Sequence, residues 1–268
     1  MRHVDAHRCI GIVVVWKEDG AVEEHKLTVR AVERAMDVLL CFTEKRELGL
    51  TEISSRVNLH KSTVHRLLAS LEAKGFIVRD SDTEKYHLGI RIWELAASLD
   101  QTDNPALLFL PEMERLRDVI GETVTLYIRD GMERIRIQAV QSRQAIRRVA
   151  EVGARLPLYV GASSKVLLAF ADDEVRDSVL QDPLWPQSIH RTTYLEQIEE
   201  IHRAGYATSI EEREPGAAAV AAPIISRSGK LAAALSVSGP ANRFTLQQMK
   251  EIAPRVIESA KAMGRMLR

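Results

Sequence analysis

The chain has 268 residues, 46% of them apolar, and its 37 basic and 37 acidic side chains cancel. That length makes one large or two ordinary globular domains, and the charge balance excludes a polycation that holds nucleic acid by bulk attraction, so any such binding needs a local patch. Two distant cysteines, Cys9 and Cys41, exclude a CxxC zinc site and a disulfide framework and fit a reducing cytosol.

Residues 1–26 read as an N-terminal extension. The run Cys9 to Trp16, CIGIVVVW, is too short for a membrane span. Lys17, Glu18 and Asp19 follow it, where a signal peptide would carry small residues. It reads as an extra strand or a leader, with a signal peptide as the alternative. No window is long and apolar enough to cross a bilayer, so a cytoplasmic protein with no membrane partner is expected.

Val32, Ala35, Met36, Leu39 and Leu40 recur at helical spacing and predict a first helix over 29–42, with Thr28 as its cap. Thr51 is a candidate cap for a second helix through Val57, whose apolar face is Ile53 and Val57. Asn58 suits the left-handed turn that stops it. A third helix follows over 61–74, with Val64, Leu67, Leu68 and Leu71 as its inner stripe and Gly75 as its stop. Phe76 and Val78, then Tyr86 and Leu88, predict two strands about the polar tip 80–83. Helical spacing returns at Ile92, Leu95, Ala96 and Leu99, and the polar segment Gln101 to Pro105 breaks it.

Downstream, 107–120 reads as a helix ended by Gly121, and 123–128 with 134–140 as a hairpin about Asp130-Gly131. Helices are expected over 164–170, 172–180 and 194–204, and strands over 206–210, 219–225 and 231–237. A long helix over 244–267 closes the chain, with Thr245 as its cap. Strands flanked by helices predict an α+β sensor-like domain.

The segment 50–88, LTEISSRVNLHKSTVHRLLASLEAKGFIVRDSDTEKYHL, places a short helix, a tight turn, a polar second helix and a hairpin in succession. That order suits a winged helix-turn-helix whose second helix enters the major groove. Between Arg56 and Arg79 the cations Arg56, Lys61, Arg66, Lys74 and Arg79 face one acid, Glu72. Thr51, Lys61, Ser62, Thr63, His65 and Arg66 are therefore candidate contacts to double-stranded operator DNA, with Arg79 and Lys85 (and His87 beside them) on the wing. The plain alternative is a solvated helix face, and the scarcity of acids argues against it.

Several motifs carry a family resemblance: LTVRAVERAMDVLLCF, the winged-helix segment itself, YHLGIRIWELA, GARLPLYVGASSKVLLAF, GYATSIEEREPGAAAVAAPI and LAAALSVSGP, in that order. Together they cover roughly residues 27–268. They resemble the IclR-type bacterial transcription regulators. The resemblance implies an α+β chain with a winged helix-turn-helix at 27–88, a linker helix at 89–104 and a GAF-like α/β effector-binding domain at 105–268. It also implies a homodimer, often paired into a tetramer, and a small-molecule effector.

The resemblance places the effector pocket on one side of the C-terminal sheet, with Leu158, Gly161, Ala162, Ser163, Ser209, Ala219, Ser236 and Ser238 in its wall. The chemistry has its own logic. Gly161-Ala162-Ser163-Ser164 precedes a helix, where free N–H groups and hydroxyls attract a carboxylate. Ser236 and Ser238, two apart on a strand, face one side; the alternative is solvated strand filler. Where family members often carry an acid and a cysteine, this chain has Ser209 and Ala219. The pocket is therefore expected to be less polar and roomier, suited to an aromatic or branched acid or an amide. Arg147, Arg148 and Arg155 are expected near its mouth or on a basic surface loop. Glu211, Glu212 and Glu214 are expected to form an exposed loop.

An enzyme and a winged-helix protein adaptor are the competing classes. The chain has no Gly-rich phosphate loop, HExxH or GxSxG, and Ser163-Ser164-Lys165 lacks the Ser-x-x-Lys spacing. His60 and His65 fall on different helix faces. No catalytic residue, metal or cofactor is expected, and acids on the third helix, which an adaptor would favour, are nearly absent.

Overall fold

A computed structural model describes residues 28–43, 45–98 and 104–267. The Cys9 to Trp16 run, Leu99 and most of the Gln101 to Pro105 break lie outside the described residues. The described residues fall into two compact units, 28–98 and 104–267. The fold class is α+β.

The first unit contains α1 (Arg30–Leu40), α2 (Leu50–Arg56), α3 (Lys61–Ala73), a hairpin of β1 (Ile77–Arg79) and β2 (Tyr86–Leu88), and α4 (Ile90–Ala97). Its core gathers Val38, Phe42, Leu48, Ile53, Val64, Leu68, Leu71, Ile77 and Tyr86. Asn58 takes φ +50 between α2 and α3, and Gly75 takes φ +74 after α3. Those left-handed residues turn the chain where the sequence places the stops. Leu48 pairs with Tyr86 and ties the hairpin back to the helices.

Four expectations in this unit are corrected. Val29, not Thr28, stands at the N-cap of α1, with no side-chain cap. Gly49 caps α2, which puts Thr51 inside its first turn. In α1 the residues facing the core are Ala35, Val38, Leu39 and, just beyond it, Phe42. Val32, Met36 and Leu40 instead form an exposed apolar row, with Met36 51% exposed. In the hairpin Ile77 is buried and Val78 exposed, one residue out of the expected phase, so all of β1 is turned over.

The second unit is a six-stranded antiparallel sheet of order β5-β4-β3-β8-β7-β6. Its strands are β3 (Thr123–Asp130), β4 (Glu133–Val140), β5 (Arg155–Pro157), β6 (Ala207–Ile210), β7 (Ala217–Ile225) and β8 (Leu231–Pro240). The expected helix over 107–120 is two, α5 (Pro105–Leu108) and α6 (Leu110–Ile120), parted at Phe109. The remaining helices are α7 (Ala162–Ala169), α8 (Asp173–Leu180), α9 (Arg191–Ala204) and α10 (Leu246–Met266). The short β5 escaped the sequence reading because three residues are too few to show a period of two.

Each face of the sheet has its own helical cover. Val124, Leu126, Val220, Ala222, Leu235 and Val237 pack with α6 and α10. Tyr127, Ala207, Ala221 and Ala234 pack with α7 and α9. Alternation along each strand assigns residues to one face or the other. Thr245 and Gln248 form a reciprocal capping box at the start of α10. Near its other end, Gly264 lies so close to β7 that a Cβ there would collide with the Ile225 carbonyl oxygen.

Gly264→Ala is expected to lower stability by about 1–3 kcal/mol through this overpacking. Thermal unfolding followed by circular dichroism should show a lower Tm; an unchanged Tm contradicts the close packing.

Candidate nucleic-acid interface and effector cavity

Helix α3 is fixed by Val64, Leu68 and Leu71 in the core, which leaves its opposite face to solvent. Lys61, Ser62, His65 and Arg66 are exposed on its first two turns, and Thr63 is half-buried. His60 is the N-cap: its Nδ1 accepts from the Ser62 N–H and lies 2.9 Å from the Ser62 hydroxyl. The sequence reading missed this capping role, since histidine is not a preferred cap. Among the described residues, neither Lys61 nor Arg66 has a carboxylate within ion-pair distance. The wing cations differ, since Arg79 pairs with Glu84, and Lys85 lies 3.8 Å from Glu47. Thr51 is exposed on α2. Lys61 and Arg66 thus leave uncompensated positive charge on the first two turns of α3, where the helix adds its own unsatisfied N–H groups.

The second unit has a small cavity of about 50 Å³, open to solvent on one side, between the sheet and the start of α7. Gly161, Ala162, Ser163, Ser209, Ala219, Ser236 and Ser238 all line it. The pairing explains why the strand residues converge. Ser236 stands opposite Thr125 and Ala221, and Ser238 opposite Thr123 and Ala219, while Ser209 pairs with Ala219. These residues share the face that looks toward α7.

Leu158 does not belong to this wall. It is fully buried in the apolar cluster beneath α7, and its carbonyl accepts a hydrogen bond from the Tyr194 hydroxyl. Burial pushes the Tyr194 phenol well up from its ordinary value. Ser164 is also turned away: its hydroxyl donates to the Pro157 carbonyl at 2.8 Å and accepts from Arg134. Of the three arginines expected at the mouth only Arg148 lines the cavity; Arg155 instead pairs with Asp130 and Glu133.

The lining is strongly charged, against the expectation of a less polar pocket. Arg134, Arg148, Arg213, Glu212 and Glu214 all contribute to it. Glu214 pairs with Arg148 and, at 2.6 Å, with Arg213. Glu212 accepts from the Gly161 N–H at 2.9 Å and from Lys165 Nζ at 2.5 Å. The acidic loop is exposed at Glu211 and Glu212 as expected, and Glu212 and Glu214 also border the cavity. At the start of α7, read from the sequence as an anion position, the N–H of the N-cap Gly161 already meets an internal carboxylate. Arg134 and Arg136 flank the Tyr127 ring, 5.1 and 5.3 Å from its centroid. Burial brings the Arg134 guanidinium down to about 10, so it stays cationic at neutral pH.

A helix-turn-helix with a hairpin wing, joined to an α/β unit that holds a charged cavity, defines a two-part DNA-binding regulator. The IclR helix-turn-helix domain matches residues 31–81, and the bacterial transcriptional regulator IclR C-terminal domain matches residues 102–265. The chain belongs to the IclR family of bacterial transcription regulators. It is 30% identical over 242 residues to the HTH-type transcriptional regulator KdgR of Escherichia coli, covering 88% of this chain and 92% of that one. It is 31% identical over 223 residues to the HTH-type transcriptional repressor AllR of the same species, covering 81% and 82%. A solved IclR homologue from Microbacterium hydrocarbonoxydans, complexed with 4-hydroxybenzoate, superposes with a TM-score of 0.77 at 28% identity, covering 88% of this chain and 99% of that one. These relatives are named as regulators and repressors, not enzymes. Among the described residues there is no cluster of metal-ligating side chains, and no helix is long and apolar enough to cross a membrane.

Glu212→Gln leaves the Lys165 ammonium buried without its counter-ion. Because Glu212 is itself partly exposed, the expected loss of stability is about 1–3 kcal/mol, below that of a fully buried pair. Denaturant unfolding should recover part of that loss in the Glu212→Gln, Lys165→Met double variant. Additive losses would show that the two side chains do not act together.

Proposed function

We propose that this protein is a cytoplasmic, effector-controlled regulator of a catabolic operon. On this reading the exposed first turns of α3 enter the major groove of the operator, and a small organic acid in the cavity adjusts the grip. The observation that carries it is the pair of cations on α3, Lys61 and Arg66, exposed and without carboxylate partners among the described residues. Thr51, Ser62, Thr63 and His65 surround them as candidate phosphate and base contacts, with Arg79 and Lys85 on the wing.

The first unit also supports a homodimer. Val29, Val32, Met36 and Leu40 follow one face of α1, and Ile90 and Trp93 one face of α4, all exposed, with Trp93 72% exposed. Apolar rows of this kind mark contact surfaces. A two-fold dimer reads a near-palindromic operator, and pairing of dimers makes a tetramer. Residues 89–104 join the two units in sequence, so an effector that prefers one dimer geometry shifts the spacing of the half-site readers.

Excess positive charge around the cavity suits a carboxylate: Arg134, Arg148, Arg213 and Lys165 face Glu212 and Glu214. The related protein from M. hydrocarbonoxydans was solved with an aromatic acid.

Lys61→Ala and Arg66→Ala should each weaken binding to the protein's own upstream DNA about tenfold or more and reduce the salt dependence by about one ion, with the circular dichroism spectrum unchanged. Gel-shift affinities equal to wild type for both would contradict the assignment. Ser236→Ala and Ser238→Ala should leave DNA affinity intact and raise the acid concentration needed for half-maximal response about tenfold, which titrated fluorescence anisotropy of labelled operator measures.

A further inference from the structure

The tip of the wing is acidic. From Arg79 to Lys85 the sequence RDSDTEK sets three carboxylates against two cations, a balance that repels phosphate. Asp80 shapes the turn: its Oδ1 accepts from the Asp82 N–H at 2.9 Å and the Thr83 N–H at 2.7 Å. Glu84 has a different task, since its carboxylate pairs with the Arg79 guanidinium. Glu84 also takes φ +58, a left-handed conformation that glycine or asparagine adopts more cheaply. A glutamate kept at a strained position points to work for its side chain. That work is not simply to hold Arg79. The guanidinium also lies over the Tyr86 ring, 5.8 Å from its centroid, and the Arg79 backbone N–H donates to Glu72 at 3.3 Å. The other wing cation, Lys85, has Glu47 at 3.8 Å. On α3 the pattern is the opposite: among the described residues Lys61 and Arg66 have no carboxylate within ion-pair distance.

Accepting that α3 and the wing face DNA, we propose that Glu84 competes with DNA phosphate for Arg79 and so limits the sequence-independent grip of the wing. Its carboxylate occupies the guanidinium that a phosphate would take, and its charge repels that phosphate. An exposed ion pair is worth little, so DNA can displace Glu84, but the displacement gives back part of the contact energy. Phosphate contacts carry no sequence information. Holding them down on the wing leaves recognition to the first turns of α3. It also weakens capture of the regulator by the large excess of unrelated DNA.

The experiment is fluorescence anisotropy of the full-length protein with two labelled duplexes, its own upstream DNA and a random sequence, over a range of salt concentrations. Glu84→Gln is expected to bind both duplexes about fivefold more tightly than wild type near about 0.1 M salt, with a salt dependence steeper by about one ion. In an Arg79→Met background the same substitution should gain less than about twofold, because the two side chains act as a pair. Glu84→Gly, free of the left-handed strain, should tighten binding likewise and raise Tm. Unchanged or weaker binding by Glu84→Gln overturns the proposal, since the carboxylate is then idle or positions Arg79 for DNA. A gain confined to the upstream duplex overturns it too, because residue 84 would then bear on sequence readout. An equal gain with and without Arg79 overturns the competition. Each of these results leaves the reading of α3 standing as long as Lys61→Ala and Arg66→Ala weaken binding. If those two are also neutral, that reading falls as well.

Discussion

Glu212 accepts hydrogen bonds from the backbone N–H of Gly161, the N-cap of α7, and from the buried Lys165 ammonium. Those two contacts tie the loop 211–216 to the start of α7, and Glu212 and Glu214 border the cavity there. The helix terminus and the ammonium both favour negative charge at the same point, so a carboxylate is the group that satisfies them together. With Glu212 in place, Glu214 is brought to Arg148 and Arg213, and the charged lining follows.

The sheet separates two kinds of chemistry by alternation. Its face toward α10 is almost wholly apolar and includes the close approach at Gly264, so it serves as the stable floor of the unit. Its face toward α7 carries Ser236, Thr125, Arg134 and Arg136 among apolar residues. Several of these groups are bonded within the face or to backbone: Arg136 donates to the Tyr127 hydroxyl and the Glu151 carbonyl, and Thr125 to the Ser236 carbonyl.

The first unit solves a different problem. It is small, and its core is completed by the hairpin, through Ile77, Tyr86 and the Leu48 bridge. Committing Val64, Leu68 and Leu71 to that core orients α3 and delivers its cations to solvent. Exposed apolar rows on α1 and α4 are the remaining cost.

Much of this was legible along the chain. Helix stops at Asn58 and Gly75, the Thr245 cap, the long C-terminal helix and the shared face of Ser236 and Ser238 all follow from local backbone preference and periodicity. The helix-turn-helix order and its acid-poor third helix were equally local. Tertiary structure alone decided which apolar row of α1 faces inward, which face of β1 is buried, that Leu158 belongs to the core, and that Glu212 meets the Gly161 N–H and Lys165. Periodicity tells that a stripe exists, not what covers it. Lys165 and Glu212 are 47 residues apart, and Arg134 and Ser164 are 30 apart. Contacts at that separation are set by strand order and helix placement, and no local spacing encodes them.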